Sequence, residues 1–119
     1  MSYDLRFAVK ADIENERRFV DVGYPEYDHP TYNLSKMFRT CMNWDYEQGE
    51  YYKLSDIEKN ILRGIKELEN SPNKYRRYEP ENKWGTVEGA LKVLKGLYRD
   101  MHEFSEERNI PLEYLYLRW

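Results

Sequence analysis

Residues 2–10 alternate, with Tyr3, Leu5, Phe7 and Val9 on one side and Asp4, Arg6 and Lys10 on the other. A period of two with one apolar face predicts a half-buried strand. Ala11 to Glu16 is polar and turn-like. Alternation resumes from Arg17 to Gly23, with Phe19 and Asp21 opposite Val20 and Val22. The two runs predict a β-hairpin whose second strand, less cleanly sided, lies at an edge.

Tyr24 to Pro30 holds two prolines and no regular period, the pattern of a loop. The period then changes to that of a helix. Leu34, Met37, Phe38, Cys41 and Met42 share one face behind Thr31 or Asn33 as caps, and this helix frays near Trp44. Asp45 to Tyr52 follows as an acidic, aromatic connector. Ser55 and Glu58 have the spacing of a capping box, and Ile57, Ile61, Leu62, Ile65 and Leu68 mark a second helix that stops at Pro72.

Pro72 to Glu81 is a basic and aromatic bridge with room for one helical turn. Asn82 to Leu91 then opens the longest helical pattern, with Val87, Leu91, Leu94, Tyr98, Met101 and Phe104 as its buried stripe and Asn109-Ile110-Pro111 as its stop. Leu112 to Trp119 is rich in strand formers and is expected to be tied into the sheet. The order is therefore β-β-α-α-α-β. It predicts one α+β domain over residues 1–119, with a small three-stranded, mostly antiparallel sheet and helices packed on one face.

Composition sharpens this picture in two places. The chain has 12 Tyr, 3 Trp and 4 Phe, more amphipathic ring surface than an aliphatic core requires, which directs attention to half-buried and interfacial positions. Charged residues make up 34% of the chain but sum to only -3, which argues against direct nucleic-acid binding by a generally basic domain. Cys41 is the single cysteine, so no internal disulfide forms and a reducing cytoplasm is the expected setting. The sequence shows neither a signal-peptide pattern nor an apolar run of membrane-spanning length, so a soluble protein without membrane association is expected.

Two stretches carry candidate binding chemistry. In the first, Tyr75, Arg76, Arg77 and Tyr78 interleave cations with rings, and Lys83, Trp84, Gly85 and Thr86 lead into a helix N-terminus. Backbone N–H groups there favour anions, so these residues are candidates for an anion or nucleotide site, with a ring stacking on the base. The plainer alternative has Trp84 plugging the core, Gly85-Thr86 starting the helix and Glu88 satisfying its dipole. The second stretch, with Trp44, Asp45, Tyr46, Glu47, Glu50, Tyr51 and Tyr52, rings aromatic anchors with acids and suits docking onto a basic protein surface. Its alternative is a connector whose rings cover the edge of the core.

Evidence for catalysis is thin. His29 and His102 have no spacing that implies a shared metal, Asp28 and His29 could orient one another without a marked nucleophile, and Cys41 lies on an apolar helix face. The expectation is a non-enzyme with no cofactor and no metal.

Three pieces in order, Met1-Ser2-Tyr3-Asp4, Thr31-Tyr32-Asn33 before a helix containing Met37, and Asn82-Lys83-Trp84-Gly85 leading to Gly89-Ala90-Leu91, resemble a group of small phage and prophage proteins. Members of that group often have glycine where Lys83 stands, and no functional residue carries over from it. The resemblance implies a phage accessory protein in the cytoplasm of a host bacterial cell. The leading expectation is thus a non-enzymatic inhibitor that binds a host defence protein such as a CRISPR nuclease. The alternative is a protein that sequesters a nucleotide second messenger, with a homo-oligomer as one way to build its pocket. A nucleotide-cleaving enzyme using His29 or His102 ranks third.

Overall fold

The computed structural model describes residues 2–119. The hairpin is present but displaced along the chain: β1 (Arg6–Ile13) leaves Tyr3–Leu5 outside the strand, and Ala11–Ile13, expected as turn, pair with Glu16–Arg18 of β2 (Glu16–Gly23). Its two-residue loop holds Glu14 at φ 52° and Asn15 at φ 66°. Two consecutive positive φ values are the mark of the tight turn whose twist matches that of paired strands, and Asn tolerates that region better than most residues.

Thr31 accepts a hydrogen bond from the Asn33 N–H and so caps a 3-10 turn that leads into α1 (Ser35–Met42). Asn43, in the left-handed region, ends α1. The carbonyls that this short helix leaves over are taken by side chains of α2 (Leu54–Asn70). Asn60 donates to the Met42 carbonyl at 3.2 Å, and Arg63 donates to those of Thr40 and Cys41 at 3.1 and 2.5 Å. The expected Ser55–Glu58 box does not form. Helix α2 begins two residues earlier, with Lys53 at the cap position, and the Leu54 N–H donates to the Leu115 carbonyl at 2.9 Å. A backbone partner distant in sequence replaces the local side-chain cap.

The basic bridge forms α3 (Pro72–Tyr75) and a 3-10 turn, Arg76–Tyr78. Helix α4 (Val87–Arg108) is capped by Thr86, whose side chain accepts from the Gly89 N–H. A last 3-10 turn precedes β4 (Tyr116–Arg118). No helix among the described residues is long and apolar enough to cross a membrane.

The three-stranded sheet expected from the sequence is not what forms. Among the described residues the sheet has four antiparallel strands in the order β2-β1-β4-β3, and four helices accompany it. The additional strand is β3 (Tyr51–Lys53), three residues long and set within the segment read as an acidic connector. Three residues are too few to show a period of two, so pairing with β4 defines this strand, not its own pattern. The additional helix is α3, a single turn of the bridge.

Strand β4 lies between β1 and β3 and joins the ends of the fold, with Phe7 opposite Leu117 and Tyr52 opposite Leu117 on the other side. One face of the sheet carries Phe7 and Leu117 into a core shared with Phe38, Met42, Ile61, Leu94 and Met101. The other carries Phe19, Tyr51 and Tyr116. Phe19 stacks on Tyr51 at 4.2 Å and meets Tyr116 edge-on at 5.0 Å, and Ala8, on the same face by alternation, is fully buried.

Close approach of α1, α2 and α4 depends on Gly64. A Cβ there would lie 2.7 Å from Met42 Cγ, 2.8 Å from Leu94 Cδ1 and 3.3 Å from Cys41 Sγ, and all three side chains are buried. Overpacking of this kind costs about 1–3 kcal/mol, more than the helix-propensity gain of about 1 kcal/mol on replacing glycine by alanine. Gly64→Ala is therefore expected to lower the urea unfolding midpoint. A raised midpoint would show that α1 and α4 can move apart freely.

Candidate functional site

The acidic, aromatic stretch is divided by the fold. Tyr46 is buried, with its hydroxyl 2.7 Å from that of Tyr3, and burial followed by the Tyr3 bond pushes its pKa well up. Trp44 packs against Tyr46, Tyr52 and Trp119, and the Tyr52 hydroxyl accepts from the Glu47 N–H at 2.7 Å. Tyr51 points to the outer face of the sheet, where its hydroxyl donates to Asp21 at 3.0 Å. The rings line the core edge and the sheet, while Asp45, Glu47 and Glu50 remain in solvent. The Gly49 N–H donates to the Trp119 carbonyl at 2.6 Å, which braces this acidic turn against β4.

The second stretch does not converge on the N-terminus of α4. The Val87 N–H donates to Glu79 Oε2 at 2.8 Å and the Gly89 N–H to Thr86, so the chain's own acceptors occupy the anion position. Arg76 is bound to Glu88 at 2.9 and 3.2 Å, a pairing that raises the arginine's pKa and lowers the carboxylate's. Tyr75 is buried and donates to Glu67 at 2.8 Å. Lys83, at φ 62°, is exposed. Trp84 does not plug the core: it is 69% exposed, and its place as anchor is taken by Gly85, whose backbone lies so close to Leu34 that a Cβ would come within 2.8 Å of it. A glycine at φ 141° makes that contact where no ring could fit.

Arg77 and Tyr78 turn the other way, toward α1 and α2. The Arg77 guanidinium lies 5.0 Å from the centre of the Tyr78 ring and donates to its hydroxyl at 3.0 Å, which, with the charge of Arg77, lowers that hydroxyl's pKa. Lys36 Nζ lies 5.5 Å from the same ring. Lys36, Arg77 and Tyr78 line an open cleft of about 540 Å³. A second open cleft of about 620 Å³ is lined by Lys59, Leu62, Arg63, Lys66 and Glu67. The clefts share no lining residue, and α1 adjoins both, through Lys36 in the first and through the bond from Arg63 to the Thr40 carbonyl in the second.

Glu67 is the carboxylate within this face. Its bond from Tyr75, then the charges of Lys74 and Arg63, overcome slight burial and hold its carboxyl below the usual range. Lys36, Lys59, Arg63, Lys66, Lys74 and Arg77 therefore form a cationic surface on a chain whose net charge is negative. Sequence reasoning missed all but Arg77 and Tyr78. The signal was present in α2, where Lys59, Arg63 and Lys66 recur at i, i+4 and i+7 on the face opposite Ile57 and Ile61.

The groups weighed for catalysis are engaged elsewhere and apart. His29 Nδ1 is 2.8 Å from Asp28 Oδ1 and its Nε2 is 3.4 Å from Asp4 Oδ1, while His102 Nε2 lies 2.5 Å from Glu58 Oε2. Asp4, Asp28 and His29 place ligand-type atoms within 4.8 Å of one another. Arg6 already bridges the two carboxylates at 2.6 and 2.7 Å, and Arg118 adds a bond to Asp4 at 2.9 Å. Burial would raise Asp28, but bonds from His29 and Arg6 outweigh it and lower its pKa. The cluster is neutralised from within and pins Asp4 and the loop at Asp28 to the sheet.

No protein-family profile, curated protein or solved structure matches the chain.

Two expectations follow. Burial pushes the Cys41 thiol up to about 12, so a thiol-specific reagent at pH 8 should react with native protein only at the rate of unfolding; stoichiometric reaction within seconds would contradict the packing. Glu79→Ala removes the acceptor at the start of α4 and should lower stability by about 0.5–2 kcal/mol in urea unfolding, the usual range for a lost cap. An unchanged midpoint would mean that the Glu79–Val87 bond contributes nothing.

Proposed function

We propose that the protein is a non-enzymatic binding protein that holds a phosphorylated, nucleotide-type ligand on the face formed by α1, α2 and the 3-10 turn at Arg76–Tyr78. The observation that carries this reading is the pair of open clefts on this face, one with Lys36 and Arg77 beside the Tyr78 ring and the other with Lys59 and Lys66 beside Leu62. Guanidinium and ammonium groups supply donors for phosphate oxygens, and the ring and aliphatic patch supply apolar area for a base. Nothing in the two clefts pairs a nucleophile with a base, so capture without turnover is the chemistry this face supports. The resemblance to phage-borne proteins adds a setting: a host cell in which a nucleotide signal of a defence system is withdrawn.

A second reading has its own observation. Asp45, Glu47 and Glu50 project from a turn braced by β4, an ordered acidic ridge suited to the basic surface of a host defence protein such as a nuclease. In this reading the ridge would act by charge and the rings behind it only as support.

Calorimetry against cyclic nucleotides and ADP-ribose derivatives separates the two. Saturable binding is expected, weakened about tenfold or more by Lys66→Glu or Arg77→Glu, in line with the loss of one charged hydrogen bond and the repulsion that replaces it. Lys83→Ala should have no effect. Flat titrations across the panel would remove the ligand reading, and co-elution with a defence nuclease abolished by reversing Asp45, Glu47 and Glu50 would establish the other.

A further inference from the structure

Strand β1 pairs with β4 only from Arg6 to Ala8, yet it continues to Ile13. Val9–Ile13 and their partners Glu16–Val20 therefore form a two-stranded ribbon that reaches beyond the four-stranded body. The whole chain measures 48 × 26 × 22 Å, an elongated shape for its size. An isolated two-stranded ribbon is only marginally stable in water, and β2 is an edge strand with one side unpaired.

The unpaired side has a definite register. In a hairpin with a two-residue loop, the flanking pair, here Ile13 and Glu16, exchanges hydrogen bonds, and alternate pairs along the ribbon do so in turn. The pairs containing Arg17, Phe19 and Asp21 are those that do not. These three residues therefore direct their backbone N–H and C=O groups away from β1, and by alternation their side chains share the outer face with Tyr51 and Tyr116.

Their charges are arranged symmetrically, positive at Arg17 and negative at Asp21, two residues to either side of Phe19. Within the chain Arg17 is paired with Asp12 and Asp21 with Tyr51 and Arg118, so charges from a second copy would join these exposed pairs, and opposite signs would meet across the edge. This edge is complementary to itself.

We propose that a second copy of this chain pairs with β2 in antiparallel fashion about a two-fold axis at Phe19, giving a continuous eight-stranded sheet. In that register Phe19 lies opposite Phe19 of the mate, and Arg17 of each copy faces Asp21 of the other. The two backbones exchange hydrogen bonds at both kinds of pair. Shifting the register by two residues would set Phe19 against Arg17 or Asp21 and lose the charge match, so one register is selected. The aromatic group of Phe19, Tyr51 and Tyr116 then continues across the axis as one surface. This association is independent of the cationic face, which lies on the helical side of the sheet.

Site-specific cross-linking tests it. Across a hydrogen-bonded antiparallel pair, Cα atoms are about 5.5 Å apart, within the span of about 4.4–6.8 Å that a disulfide bridges. Phe19→Cys should therefore give a covalent dimer under mild oxidation. In Arg17→Cys the two new thiols would sit about 13 Å apart along the strands, and this variant should stay uncrosslinked. Cys41 is buried and does not compete. Light scattering on the wild-type chain, which does not depend on either variant folding, should show a mass rising toward twice that of the chain with concentration. Cross-linking at position 19 but not at 17 supports the pairing even where the wild-type dimer is weak. A wild-type dimer without cross-linking at 19, equal cross-linking at both positions, or a monomer throughout with no cross-linking at 19 would each overturn it.

Discussion

The packing of Trp119 against the start of the chain and the acidic turn is the contact on which the remaining architecture depends. Its ring meets those of Tyr3, Phe38, Trp44 and Tyr46 at centroid distances of 5.1–6.0 Å. Its backbone is held from both directions, with the carbonyl accepting from Gly49 and the N–H donating to the Glu50 carbonyl at 3.2 Å. Removing a buried ring of this size typically costs about 3–5 kcal/mol, a large part of a small domain's stability. The contact also inserts β4 between β1 and β3, so that two strands far apart in sequence are bridged by a third. Without β4, β3 has no partner and the turn at Asp45–Glu50 loses its two backbone bonds to Trp119, keeping its contacts with Tyr3, Tyr32 and Arg39.

That arrangement explains how a chain rich in tyrosine and tryptophan uses its rings. Tyr3, Trp44, Tyr46, Tyr52 and Trp119 are held by one another, a cluster in which edge and tilted contacts add to the burial of area. The rings outside this cluster are dispersed over the surface, with Tyr24 and Tyr114 among those exposed. Tyr78 sits among cations, Tyr51 and Tyr116 lie on the outer face of the sheet, and Trp84 stands in solvent. Charge is partitioned in the same way. A net of -3 conceals a cationic helical side, a braced acidic turn and a self-complementary edge. Net charge described none of the three.

What could be read from the sequence follows from which interactions are local. The alternation around Phe7 and Val9 and the spacing of Ile57, Ile61 and Leu68 belong to single elements, so the existence of the hairpin and of the helices was legible, while the strand itself begins and ends later than its apolar pattern. Strand β3 and the start of α2 were not, because distant backbone groups in β4 and at Leu115 define them. The candidate anion site failed for a related reason. Arg76, Lys83 and Thr86 are near in sequence, but Glu79 and Glu88 reach the helix start first and leave no acceptor position open. Arg77 and Tyr78 retained their chemistry and changed their company, joining Lys36 from a helix that sequence distance gave no reason to associate with them. Trp84 shows the limit of reading a large ring as core: the loop gains its contact through Gly85.

Native-state hydrogen exchange tests the central role of β4 most directly. The amides of Leu54, Leu117 and Trp119 should exchange only with global unfolding, as slowly as those in the middle of α4, while the amides of the ribbon at Asp12–Arg17 exchange sooner. Exchange of the Leu54 and Trp119 amides at rates typical of a fraying segment, with α2 and α4 still protected, would contradict the account and leave the helices as the organising element.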